Sequence, residues 1–273
     1  MDTNTGAPRP PDEPLPFVAP CRTLAPLAPL AWVAKGWADL RAAPLLSLSY
    51  GLFTAVLCLL MAFVAVRFGS YWLLLATLSG FVFLGPVLCL GLYAISAQLE
   101  RDQRPTHRVS FREAGTHRLG TEMVFALMLL VVFLVWARAG SMVHVFFPVE
   151  ANPNLGDLLA YFGVGSAVGA VFALFTFAAS AFSLPMIMHR DVDMVTAVVT
   201  SINAVLRNRI AMLVWVGIIL LGISLGILTG FLGLIVTIPV LGHATWHGYL
   251  ATIDASGFPR HQRGVAASPR PPK

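Results

Sequence analysis

The feature that most constrains this sequence is the length of its uncharged stretches. Residues 210–241 are 32 consecutive positions without a charged side chain, and residues 45–66 are another 22. About 20 helical residues cross a hydrocarbon core of roughly 30 Å, and a helix satisfies its own backbone polar groups inside lipid. These stretches therefore predict membrane-spanning α-helices.

Composition indicates that lipid rather than water covers most of the surface. Charged residues make up 11% of the 273 residues and hydrophobic residues 57%, whereas a soluble domain has about 25% charged residues. The net charge of +5 is not gathered into a basic patch with interleaved aromatic residues, which excludes nucleic acid as a partner. The expected partners are the lipid bilayer and other membrane proteins.

Polar intervals and helix-breaking residues divide the apolar sequence into about six spans. The predicted fold is all-α, a polytopic bundle of transmembrane helices within residues 31–254. Residues 1–30 hold eight prolines and are predicted to form a disordered tail, and residues 255–273 are predicted to form a second one. The expected spans cover roughly residues 45–66, 71–98, 123–147, 158–188, 210–229 and 230–253.

Short helices in the membrane interface are also predicted, near residues 31–42, 110–120 and 191–207. Trp32 and Trp37 are the expected anchors of the first helix. Asp191 is the expected N-cap of the third, because a short acidic side chain can accept the free backbone N–H groups of a helix start.

Each even-numbered span contains one proline, and the odd-numbered spans contain none. These prolines are predicted to kink their helices; they are Pro86, Pro185 and Pro239. Because each pair of spans also follows an interfacial helix, we hypothesise three repeated helical hairpins.

The distribution of positive charge indicates the orientation. Sixteen of the 18 Lys and Arg residues lie in the terminal segments and in the intervals after the second and fourth spans. The positive-inside rule places these segments in the cytoplasm. The sequence therefore predicts a multi-pass protein of the cytoplasmic (inner) membrane with both termini in the cytoplasm.

His243 and His247 are weak candidates for metal ligands. Their spacing of four residues places both imidazoles on one face of a helix. No Cys, Asp or Glu of the predicted spans completes a site in the sequence, so neither a metal nor a cofactor is predicted. In the favoured interpretation, both histidines hydrogen-bond headgroups or backbone at the cytoplasmic interface.

A second candidate site is polar and consists of Arg138, His189, Asp191 and Asn203. A guanidinium at membrane depth is costly unless it is paired, so Arg138 either binds an anionic group or extends to the far interface near Glu150. Helix capping and interface anchoring explain His189 and Asp191 without a function. The alternative is a small polar site on the cytoplasmic face.

Known catalytic motifs do not occur in the sequence. It contains no GxxxxGK[ST], GxSxG or HExxH pattern, so no enzyme activity is predicted. The favoured interpretation is a non-enzymatic protein that organises or assists other membrane components. The alternatives are a small transporter or lipid-handling protein, favoured by the proline-broken helices, and a haem or copper protein associated with a respiratory oxidase.

Three strings carry a resemblance to a known family: WVAKGWADLRAAPLLSLSYG, FSLPMIMHRDVD and PVLGHATWHGYL. Over roughly residues 30–253 the chain resembles the bacterial integral membrane proteins of domain of unknown function 2189 (DUF2189). The resemblance implies a multi-pass membrane protein without an established activity. Some members are labelled as cytochrome c oxidase subunits, but a haem-copper core needs several buried histidines. This chain offers His144, His243 and His247 near membrane depth, so that activity is not expected.

Reporter fusions test the predicted orientation. Fusions at Arg112 and at Arg263 are both expected to report the cytoplasm, because each lies in a positively charged segment. A fusion at Glu150, in the acidic loop after the third span, is the control and should report the opposite face. Opposite locations for Arg112 and Arg263 would refute the six-span architecture.

Overall fold

The computed structural model describes residues 16–68, 85, 88–105, 119–146 and 154–260, apart from the side chains of residues 119 and 144. Nine helices lie in this part of the chain. They are α1 Ala28–Ala42, α2 Pro44–Arg67, α3 Leu90–Leu99, α4 Leu119–Phe146, α5 Leu155–Ser180, α6 Ser183–His189, α7 Met194–Arg207, α8 Arg209–Leu228 and α9 Leu234–Thr252. The described residues contain no strand beyond two isolated β-bridges, which confirms the all-α fold.

Four helical segments of the described residues are long and apolar enough to cross a membrane. They are α2, most of α4, α5 together with α6, and α8. Leu134 on α4 is 56% exposed and Leu213 on α8 is 63% exposed, as expected for helix faces that contact lipid. The fold is therefore a helical membrane bundle.

Parts of two predicted elements fall outside the described residues. The second predicted span is described mainly through α3, since residues 69–84 and Pro86 lie outside. The interfacial helix predicted near residues 110–120 falls mostly on residues 106–118, which also lie outside.

The sixth predicted span, α9, lies at the centre of the described bundle. Helices α1, α2, α3, α6 and α8 all pack against it. Eleven of its 19 residues are buried, including His243, Trp246 and Tyr249. Helix α9 is not among the four candidate spans because its polar and aromatic residues lower its hydropathy. It is stabilised by neighbouring helices rather than by contact with lipid.

The predicted kink sites differ from one another. The helical segment that contains Pro185 is interrupted at residues 181 and 182, between α5 and α6. Proline cannot donate a backbone hydrogen bond, and its ring clashes with the carbonyl four residues earlier, here Ala181. Pro239, by contrast, lies within the continuous helix α9. The two even-numbered spans that are described at their prolines therefore do not share one kind of break.

The connection between α8 and α9 lies where the sequence analysis places a break, at residues 229–233. Gly230 has a φ of +64°, a left-handed conformation that glycine adopts without steric cost. The Thr229 hydroxyl accepts a hydrogen bond from the N–H of Gly233 at 2.8 Å and so closes the turn. Helices α8 and α9 thereby form a tight antiparallel pair.

Helix α1 packs along α9 instead of lying free on the membrane surface. Gly36 is buried, and a Cβ at this position would meet the backbone of Ala244 at 2.8 Å. The Trp32 ring is 3% exposed, with its centroid 5.6 Å from that of Trp215. The prediction that Trp32 is an interface anchor is therefore wrong, because its ring lies in the core. Trp37 is 45% exposed.

Helix α7 begins two residues later than the predicted cap implies. Its N-cap is Asp193, whose side chain accepts a hydrogen bond from the N–H of Thr196 at 3.0 Å. Asp191 instead donates its backbone N–H to the carbonyl of Pro259 at 2.9 Å. Asp193 takes the capping role because its carboxylate lies three residues before the unpaired amide.

Both described terminal segments pack at the same end of the bundle. The N–H of Arg22 donates to the carbonyl of Thr252 at 2.8 Å. Ala19 is 1% exposed and Phe258 is 3% exposed. The predicted tail limits at residues 30 and 255 are therefore wrong, since residues 16–27 and 255–260 contribute to the folded domain.

The close approach of α1 to α9 predicts that Gly36 tolerates no side chain. In Gly36→Ala, the added Cβ would lie 2.6 Å from the carbonyl oxygen of Val240, so the two helices must separate. We expect a loss of about 1–3 kcal/mol of stability, typical of overpacking. Thermal unfolding in detergent would measure it. Gly217→Ala on α8 is the matched control, because no atom of the described part of the chain lies within 4 Å of a Cβ there; equal stability of the two variants would contradict the packing.

Candidate functional site

The first candidate site is a buried polar network formed by Asp39, Ser47, Ser96, His243 and His247. Helices α1, α2 and α3 each contribute one side chain, and α9 contributes both histidines. The distances are 2.9 Å from Ser47 Oγ to His243 Nε2, 2.7 Å from His243 Nδ1 to Ser96 Oγ and 2.6 Å from Ser96 Oγ to Asp39 Oδ2. Asp39 Oδ2 also lies 2.9 Å from His247 Nε2. The network thus links four helices.

The hydrogen-bond directions follow from the chemistry of the groups. An ionised carboxylate can only accept, so the Ser96 hydroxyl donates to Asp39. Ser96 must then accept from His243, which places a proton on Nδ1. In the neutral imidazole, Nε2 accepts from the Ser47 hydroxyl. Every polar atom named here has a partner, so burying them costs little.

Burial and charge act in opposite directions on Asp39. Burial raises the pKa of the Asp39 carboxyl, whereas hydrogen bonds from His247 and Ser96 and the electrostatic influence of the nearby His247 and His243 rings lower it. The lowering is larger, so the pKa lies below its ordinary value of 3.8. The carboxylate is therefore ionised at neutral pH and holds α1 against α3 and α9.

His243 and His247, the two candidate metal ligands, belong to one network in the structure, and their ring nitrogens contact other side chains. Both ring nitrogens of His243 contact serine hydroxyls, and His247 contacts Asp39. No group of three potential metal ligands occurs among the described residues. Asp39 is the residue that sequence reasoning missed, because it lies 208 positions before His247.

The four residues of the predicted polar site do not come together. Arg138 is exposed on α4. His189 contacts the hydroxyl of Tyr249 through Nδ1 at 2.9 Å, at the end of α6. Asp191 contacts the C-terminal segment, and Asn203 on α7 contacts the Cys21 sulfur at 3.5 Å. His189, Asp191 and Asn203 thus contact separate elements of the fold.

The second candidate site is an apolar cavity of about 320 Å³ within the bundle. Helices α2, α3, α5, α8 and α9 contribute to its wall, and the described lining contains no charged side chain and no histidine. Its volume lies at the lower end of the range for sites of small molecules, about 300–1,000 Å³. Its lining includes Thr54, Ala173, Leu174, Thr176, Ser180, Leu220 and Thr245.

The rim of the cavity lies on outward-facing helix surfaces. Leu174 on α5 and Leu220 on α8 both line the cavity, and each is 60% exposed. Both residues belong to candidate membrane spans. In a bilayer, the outward faces of spanning helices contact hydrocarbon.

The state of Asp39 predicts a pH-dependent effect of its replacement. A carboxyl whose pKa is lowered on folding contributes stability above its unfolded pKa and loses it as the pH falls through the folded value. At pH 7 we therefore expect Asp39→Asn to unfold at a lower temperature, at a cost of about 1.5–3 kcal/mol for a charge-assisted hydrogen bond. The difference from the unsubstituted protein should shrink below pH 3.8.

Lys35→Gln is the matched control for that comparison, because Lys35 is an exposed charge one helical turn before Asp39 on α1. It should unfold like the unsubstituted protein at both pH values. A pH-independent difference for Asp39→Asn would show that its charge contributes nothing to stability.

Comparison with known proteins bears on the central part of the chain. The family model described as predicted integral membrane protein (DUF2189) matches residues 73–189. This confirms the resemblance, although the strings WVAKGWADLRAAPLLSLSYG and PVLGHATWHGYL lie outside the matched residues. Comparisons with curated proteins and with solved structures gave no match. Residues 73–189 of the chain are therefore similar to the DUF2189 family of predicted integral membrane proteins.

Proposed function

We propose that this chain is a non-enzymatic lipid-handling protein of the bacterial cytoplasmic membrane, with both termini in the cytoplasm. It takes an apolar molecule from the bilayer into the cavity between α5, α8 and α9. The observation that carries the proposal is the cavity, which is apolar, within the size range of ligand sites and bordered by exposed residues of two candidate spans.

The polar network supports a binding role rather than a catalytic one. Ser47 lies 2.9 Å from His243, as a nucleophile would from its base, but both residues are 0% exposed. Neither residue lines the cavity. A substrate in the cavity would therefore not contact the hydroxyl, and the network joins α2, α3 and α9, which are three of the five helices that form the wall.

An organising or accessory role is the second candidate, and an exposed apolar ridge on α7 favours it. Val195 is 49% exposed and Leu206 is 54% exposed, with Val199 and Ile202 between them partly exposed. These residues recur at helical spacing, and Arg207 beside them is exposed. Such a surface fits the interface of an anionic bilayer.

The haem and copper alternative receives less support. His243 and His247 are the candidate ligands from the sequence. Their rings are hydrogen-bonded to Ser47, Ser96 and Asp39. Binding iron or copper through these rings would break the network that joins the four helices. An absorbance spectrum of the purified protein would test this alternative directly.

Blocking the cavity tests the lipid-handling proposal. The protein would be placed in nanodiscs with a long-chain alkyl ester that carries a photoreactive diazirine. After illumination, we expect adducts on peptides that contain Ala173–Ala181 and Ile219–Ile223, which line the cavity. Ala173→Trp fills the cavity from its rim and should reduce the labelling of these peptides at least about fivefold, since the ring would occupy the ligand's volume.

Ala167→Trp is the matched control, because Ala167 is also an exposed alanine on α5 but does not line the cavity. It should label like the unsubstituted protein. Equal labelling of the two tryptophan variants, or adducts spread evenly over all spans, would refute the proposed binding site.

A further inference from the structure

The hydroxyl groups of the cavity wall differ in whether they have a hydrogen-bond partner, and this difference indicates what the ligand must offer. The hydroxyls of Thr54, Ser180 and Thr245 each donate to a carbonyl of their own helix four residues earlier, at 3.0, 2.7 and 2.8 Å. These groups are satisfied without a ligand. Thr176 Oγ1, in contrast, is buried and has no hydrogen-bond partner among the residues that the structure describes.

Thr176 is 1% exposed and lines the cavity from α5. A buried hydroxyl without a partner costs about 1–3 kcal/mol, so native structures rarely leave one. A ligand that fills the cavity and offers an acceptor oxygen would remove this cost. The unpartnered hydroxyl therefore indicates a ligand with one such oxygen.

The lining also limits the charge of the ligand. It holds no Lys, Arg or His that could pair with an anion and no Asp or Glu that could pair with a cation, among its described residues. An ionised headgroup brought into this wall would lose its hydration without gaining a partner. The ligand must therefore be neutral in the part that enters the cavity.

The depth of the cavity in the membrane also favours a neutral ligand over one with an ionised headgroup. Thr176 lines the cavity together with Thr54 and Leu220, which lie near the middles of the candidate spans Pro44–Arg67 and Arg209–Leu228. The oxygen that meets it lies within hydrocarbon, away from the interface where phospholipid headgroups reside. A molecule whose polar group enters the hydrocarbon core fits this position better than a headgroup-bearing phospholipid.

From these observations we infer that the cavity binds a neutral, predominantly apolar lipid through a hydrogen bond from Thr176 Oγ1 to a carbonyl or hydroxyl oxygen. Long-chain esters, ketones and alcohols belong to this class. The inference rests on the proposed lipid-handling function and specifies the ligand of the same cavity. Leu174 and Leu220 at the rim would contact the alkyl chain.

Competition against the photoreactive alkyl ester tests the ligand class. Three competitors of equal chain length would be compared in nanodiscs: a methyl ester, an alkane and a carboxylate at pH 8. We expect the ester to displace the probe about three- to tenfold better than the alkane, the gain of one hydrogen bond. The ionised carboxylate should compete worst.

Thr176→Val retains the shape of the side chain and removes the hydroxyl. It should abolish the preference for the ester over the alkane while leaving displacement by the alkane unchanged. Thr237→Val is the matched control, because Thr237 Oγ1 is also buried without a partner but Thr237 does not line the cavity. It should keep the full preference.

The outcomes separate this inference from the proposed function. If the ester preference survives in Thr176→Val, or if the carboxylate competes best, the neutral-lipid assignment is overturned while binding in the cavity stands. If no competitor displaces the probe and Ala173→Trp labels normally, the lipid-handling function itself fails.

Discussion

The architecture depends on one constraint, which is that the central helix carries polar groups that lipid cannot satisfy. His243 lies in the middle of α9 and is 0% exposed. An imidazole in hydrocarbon without partners would be costly, so neighbouring helices must bring hydroxyls to both ring nitrogens. Ser47 on α2 and Ser96 on α3 do so. The positions of α2 and α3 around α9 follow from this requirement.

The same arrangement explains why small residues occur at the contacts of α9. Gly36 and Gly248 sit where α1 and α9 approach most closely, and the Trp32 ring covers Gly248. Helix α2 also approaches α9 closely at Gly51, where a Cβ would meet the backbone of Ile235, and this brings the short side chain of Ser47 to the imidazole. Packing among these helices therefore depends on backbone proximity as well as on apolar surface.

The membrane class and the helical fold could be predicted from the sequence, because both follow from uncharged runs such as residues 210–241. The turn near Gly230 could be predicted as well. The depth of Trp32 could not, because an interfacial tryptophan and a buried one have the same local pattern. The cap of α7 could not be predicted either. Two acidic residues lie close together in the sequence, and only the backbone geometry shows that Asp193 and not Asp191 caps the helix.

The candidate sites were the least predictable part. His243 and His247 stand out by their spacing, but their partner Asp39 lies near the other end of the sequence and resembles a solvated residue of an amphipathic helix. The cavity is formed by five helices, and its Thr176 resembles any threonine within a span. Non-local contacts of this kind leave no periodic signal.

The central position of α9 has a consequence for biogenesis. A ribosome makes this helix last among the nine described, so Asp39, Ser47 and Ser96 enter the membrane before their imidazole partners exist. Until residue 247 has been synthesised, the nascent bundle carries a carboxylate and two hydroxyls without their final partners. The polar network can therefore form only after the last helix has been made.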